Sequence, residues 1–145
     1  VAACHAGWRG VAGRILPEAL LQLERAGSRR DNLLVALGPA IAGVSYQVER
    51  EVTLALAASL RPGPLDERQG LDELISCGAL LADPDPGRDR LDIRAATVRQ
   101  LAYEGIDASR VAVCPLCTAS EPLLFHSWRR DRVKAVQWSG IVAQG

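Results

Sequence analysis

The sequence predicts an α+β fold, a mixed α/β sandwich, and three observations predict it. Short apolar runs stand at Val1–Cys4, Leu33–Leu37 and Val111–Cys114. Stretches with apolar residues at helical spacing separate them. Most segments end in glycine or proline. Helices alternate with strands early, and strands gather toward the end of the chain.

Taken in order, Val1–Cys4 reads as a buried strand. From Arg9 to about Ala26, the residues Val11, Ile15, Ala19, Leu20 and Leu23 recur at helical spacing. Pro17 should kink or restart that helix, because proline removes a backbone hydrogen bond, and Gly27 should end it. Leu33–Leu37 is a second strand closed by Gly38-Pro39, and Gln47–Leu60 a second helix. Arg61–Gly70 and Asp83–Arg90 read as loops, with an ambiguous, partly helical Leu71–Leu81 between them. Asp92 suits the N-cap of a helix through Tyr103, stopped by Gly105. Val111–Cys114 is a third strand, and Leu123–Trp128 with Ala135–Val142 a closing pair.

The 145 residues allow one domain with a real core. Seventeen basic and seventeen acidic side chains cancel, so bulk charge offers nothing to nucleic acid or an anionic membrane. All the basic residues except Lys134 are arginine, a bias in keeping with genome composition. No apolar stretch is long enough to span a bilayer. The four cysteines form no regular disulfide framework, which suits reduced thiols and a cytoplasmic setting. Oligomeric state has no signature here.

Chemistry concentrates in Cys4-His5-Ala6-Gly7-Trp8-Arg9-Gly10. A histidine closing a strand beside a glycine turn suits a metal ligand, a general base, or simply a backbone-satisfied imidazole. Gly7 and Gly10 permit close backbone approach, and a helix start favours anions. Arg9 at such a start is disfavoured by the macrodipole, so it calls for an anionic partner or a place at the surface. A strand with the best motif in its first turn, lacking an initiator methionine, is expected in the C-terminal part of a longer protein. Cys114-Pro115-Leu116-Cys117 is a lone C-x-x-C, open to buried thiols, metal binding or redox chemistry. Phe125–Arg132 joins aromatics to Arg129 and Arg130; it suits phosphate and base stacking, or a charged turn with Asp131.

His5–Gly10, Gly38-Pro39-Ala40-Ile41 with Tyr46-Gln47-Val48, Cys117-Thr118 and Ser127–Asp131, taken together, resemble the bacterial purine nucleoside phosphorylase family. That family is also described as laccase-domain or multicopper polyphenol oxidase-like, and as peptidoglycan editing factor. The resemblance covers all 145 residues, as the C-terminal portion of one such domain. Val133–Trp138 lacks a Thr-Gly-Arg common after Arg-Arg-Asp, while Val136–Ile141 resembles another ending of the same family.

The resemblance implies zinc held by two histidines and a cysteine, with His5 as the last ligand. The other two belong to Gln-x-His-Gly and Ala-Asp-Cys segments upstream of it, and neither segment occurs in this sequence. Cys4 is no substitute, because neighbouring strand residues face opposite ways, and Cys114 and Cys117 do not match the family's cysteine ligand. The implied activity of the complete protein is phosphorolysis of adenosine, inosine or methylthioadenosine, with adenosine deamination beside it. Purine nucleoside and phosphate are the implied partners. Arg9, Gly7 and Gly10, with Arg129 and Arg130, are the candidate phosphate or ribose contacts, and His5 is both metal ligand and catalytic residue. Residues 1–145 alone are expected to be inactive.

Copper-dependent polyphenol oxidation is the alternative the family labels imply, but His5 and His126 are the only histidines where a multicopper cluster needs many. A peptidoglycan-editing role, or a non-catalytic remnant or interaction module, completes the alternatives.

Overall fold

A computed structural model describes residues 1–143. The apolar spacing after Trp8 yields two helices rather than one, α1 (Trp8–Ala12) and α2 (Ile15–Arg25). The chain breaks at Arg14, which takes a left-handed φ of 56°. Pro17 falls in the first turn of α2, where its missing N–H costs nothing, so it restarts the helix rather than kinking it. Gly27, at φ 93°, closes α2. Its N–H donates to the Glu24 carbonyl and that of Ser28 to the Leu23 carbonyl, the Schellman pattern.

Two small sheets follow. In the first, β1 (Val35–Leu37) pairs in parallel with β5 (Val111–Val113), Val35 opposite Val111. A single further bridge, Ala40 to Cys117, carries this pairing past the strand ends. The second is antiparallel, with β4 (Arg88–Leu91) between β2 (Gln47–Glu49) and β3 (Leu80–Ala82). Around them lie α3 (Arg50–Ser59), α4 (Glu67–Ser76), α5 (Ile93–Tyr103) and the single turn α6 (Trp128–Asp131). The architecture is mixed α/β, as the sequence predicts.

One core joins Val11 of α1 to Val52, Leu56 and Leu60, Leu74, Leu91 and Ala96, and a smaller one joins Leu16 and Leu20 to Leu101 and Ile106. Gln100, fully buried, stitches three elements by donating from Nε2 to the carbonyls of Val11 and Ser59. Asp92 caps α5 by accepting from the N–H groups of Arg94 and Ala95, and Gly105 at φ 80° follows its end. Among the described residues no helix is long and apolar enough to cross a membrane.

Several sequence expectations need correction. Val1–Cys4 is neither buried nor a strand; it finds no pairing partner among the described residues, and an apolar run becomes a strand only against a neighbour. Val35–Leu37 is all that remains of the second strand. Gln47–Glu49 is strand, not helix, because it pairs with Arg88–Arg90 and alternates in burial, Val48 inward and Glu49 outward. The supposed loop at 61–70 already contains the first turn of α4, capped by Asp66. Asp83–Arg90 is the tip of the β3–β4 hairpin together with most of β4, and Gly87 turns it at φ 79°. The closing pair of strands is absent: Leu123–Trp128 and Ala135–Val142 have no ladder, and the His126 N–H donates to the Gln137 side chain at 3.2 Å instead.

Candidate functional site

The loop before α1 is shaped by its glycines. A Cβ on Gly7 would lie 3.1 Å from His5 Nε2, and one on Gly10 would lie 3.1 Å from the His5 carbonyl oxygen and 3.4 Å from Ile15 Cγ2. At both positions the His5 loop lies close against the helix, so a Cβ would need its neighbours to give by a few tenths of an ångström, most of all the His5 backbone at Gly10. His5 and Arg9 are exposed, and the Arg9 guanidinium lies over the Trp8 ring at 4.6 Å from its centroid. Helix α1 has only five residues, so its dipole adds little for an anion.

Arg129, from the far end of the chain, reaches the segment that leads into β2. Its Nη1 donates to the Gln47 carbonyl at 2.6 Å, and its guanidinium lies over the buried Tyr46 ring at 4.8 Å. Burial pushes the Tyr46 phenol up, and the positive charges of Arg129 and Arg9 draw it partly back. Segments around residues 46 and 129 are thus brought together, and Trp8, beside Arg9, packs on the core cluster that includes Tyr46. Tyr46 sits within one of the family-like segments, yet its tie to Arg129 is tertiary and leaves no local pattern.

Arg130 is held differently. Its guanidinium donates to the carbonyls of Thr118, Ala119 and Phe125, and grips Asp131 with Nε and Nη2, each at 2.7 Å. Asp131 also accepts from the Ser127 N–H at 3.3 Å. Arg130 thereby ties α6 to the 118–125 loop. His126 lies 3.5 Å from Asp131 through Nδ1, and its buried Nε2 has no partner among the described residues.

Cys117 is buried, and its Sγ accepts from the Ala42 N–H at 3.2 Å, while Cys114 is half-buried. Burial pushes the Cys117 thiol up, but hydrogen bonds from the Ser120 hydroxyl and from the backbone at Ala42, Ser120 and Ala119 outweigh it, bringing it to about 7 from an ordinary value of 9. A depressed acid stabilises the fold where the unfolded thiol is also ionised and loses that contribution as pH falls through its folded value. The stability advantage of the wild type over Cys117→Ala is therefore expected to grow from pH about 7 to about 9. Denaturant midpoints of both proteins across that range measure it, and a constant difference would rule the thiolate out.

Among the described residues no three of His, Cys, Asp or Glu come together as a metal-binding group. The described residues therefore do not fit a zinc or copper centre by themselves.

Among known proteins, the chain is 42% identical to a purine nucleoside phosphorylase of Synechocystis sp., over 99% of this chain and 56% of that protein. A protein named adenosine deaminase RL5, from an unknown prokaryotic organism, is 29% identical over 90% of this chain and 45% of its own length. The crystal structure of YlmD from Geobacillus stearothermophilus superposes with a TM-score of 0.72 at 34% identity, covering 89% of this chain and 43% of that one. The chain spans about half the length of the relatives it matches. The model of the family described as multi-copper polyphenol oxidoreductase laccase matches residues 1–144, and the chain belongs to that family.

Proposed function

We propose that residues 1–145 are the C-terminal portion of one catalytic domain of a purine nucleoside phosphorylase, and that they supply its phosphate-binding arginines. The observation that carries this reading is that Arg9 and Arg129 each lay a guanidinium on an aromatic face, Arg9 on Trp8 and Arg129 on Tyr46. Two arginines with donors to spare suit a phosphate dianion, which takes charge-assisted hydrogen bonds from planar forks. In phosphorolysis a phosphate oxygen forms a bond to ribose C1′ as the C1′–N9 bond breaks. The purine leaves with the electron pair and takes up a proton, and ribose 1-phosphate remains. Fixing the phosphate beside C1′ is the part assigned to this chain. The Trp8 and Tyr46 rings hold the two cations in place.

On this reading His5 gives one imidazole to a zinc centre whose other ligands come from outside the described residues. The names borne by the relatives support the substrate class, purine nucleoside with phosphate, and the deaminase among them supports adenosine as a second substrate. The complete protein, incubated with inosine, is expected to release free hypoxanthine only when phosphate is present. With adenosine it should release adenine, and inosine as well if it deaminates. Absence of both free base and inosine would defeat the proposal. Metal analysis of the same preparation, with and without His5→Ala, reads the zinc assignment separately from turnover.

A further inference from the structure

The geometry points to Tyr46 as the positioning residue of the anion site, its ring holding Arg129 in place by lying beneath the guanidinium. The inference rests on the phosphate-binding reading above but concerns a residue that touches no phosphate. Tyr46 is only 7% exposed and belongs to the same buried cluster as Val48 and Val52. Its ring is therefore fixed by the core, whereas Arg129 stands on the single turn α6, too short to be rigid alone. Two contacts immobilise that arginine: the ring at 4.8 Å, and the Gln47 carbonyl, which occupies one of its five N–H donors.

Tyr46 and Gln47 are adjacent, so one backbone segment leading into β2 sets both contacts. The electron-rich ring face holds the Arg129 cation electrostatically until an anion arrives. A structural tyrosine would need only its bulk. A positioning tyrosine needs the negative face of its ring.

The test is calorimetric titration of the complete protein with inorganic phosphate. Tyr46→Leu is expected to bind about tenfold more weakly, the worth of a partly desolvated cation–π contact, and Tyr46→Phe to recover most of that loss. Pentafluorophenylalanine incorporated at position 46 keeps the ring's shape but reverses its quadrupole, so it should bind as weakly as Tyr46→Leu. That variant keeps the question open to measurement should Tyr46→Leu not fold. The ring-current shift of the Arg129 side-chain protons should persist in Tyr46→Phe and disappear in Tyr46→Leu. Fluorination without effect on phosphate affinity would overturn the positioning role while leaving the anion site standing. Wild-type protein that binds no phosphate, or binds it equally well as Arg9→Ala and Arg129→Ala, would overturn both.

Discussion

Arg9→Ala in the complete protein is expected to raise the KM for phosphate by a factor on the order of ten to a hundred while leaving the fold intact. A hydrogen bond from a charged donor contributes about 1.5–3 kcal/mol net, and that range converts to about ten- to a hundredfold in affinity. The fold should not notice the change. Arg9 is exposed and its recorded contact is with the neighbouring Trp8 ring, so its removal should alter stability by no more than about 0.5 kcal/mol. Arg130→Ala is expected to do the reverse. It abandons three carbonyls and the Asp131 carboxylate, which should cost about 1–3 kcal/mol of stability. Steady-state kinetics against phosphate, paired with denaturant midpoints for each variant, separates the two roles. An unchanged phosphate KM in Arg9→Ala, with turnover present in the wild type, removes Arg9 from the site.

That contrast also marks where the sequence stops being informative. Arg129 and Arg130 are indistinguishable as letters in Trp-Arg-Arg-Asp. Successive residues of a helical turn point about 100° apart, so one guanidinium goes to Tyr46 and the other into the 118–125 loop. The signals that could be read were local ones. Asp92 and Gly105 bracket α5 because capping and left-handed termination depend on a few adjacent residues. Gly7 and Gly10 mark the His5 loop for the same reason. The misread elements depend on partners far away in sequence. Gln47–Glu49 becomes a strand only because Arg88–Arg90 lies beside it, about forty residues on, and the apolar runs at 1–4 and 135–142 stay irregular because no described strand pairs with them. Tyr46 could be quoted as part of a family-like segment, but its link to Arg129 exists only once β2 and α6 are assembled.

The largest stability effect is expected at Gly70, which lets α3 and α4 cross in contact. A Cβ there would lie 2.9 Å from both Ala57 Cβ and the Ala57 carbonyl oxygen, and 3.0 Å from its carbonyl carbon. Two of these three atoms are backbone of a buried helical residue, so no side-chain rotation relieves the clash and the helices must separate. Gly70→Ala is informative because intrinsic propensity argues the other way: alanine inside a helix is favoured over glycine by about 0.5–1 kcal/mol. A net loss of about 1–3 kcal/mol, the ordinary cost of overpacking, would show the crossing overriding that preference, and Gly70→Val should lose more. Since folded proteins hold only about 5–15 kcal/mol in reserve, the valine variant is expected to approach global unfolding. Gly38→Ala is the control: nothing lies within 4 Å of its added Cβ and its φ is not positive, so its midpoint should stay close to wild type. The damage at Gly70 should also reach the site, because α3 leads out of the Tyr46–Glu49 segment at one end and packs on α1, the helix that carries Arg9. Denaturant midpoints of the three variants measure the first effect, and phosphate titration of whatever remains folded measures the second. A Gly70→Ala protein as stable as wild type would mean that the α3–α4 contact yields at a cost no larger than the gain in helix propensity, about 0.5–1 kcal/mol.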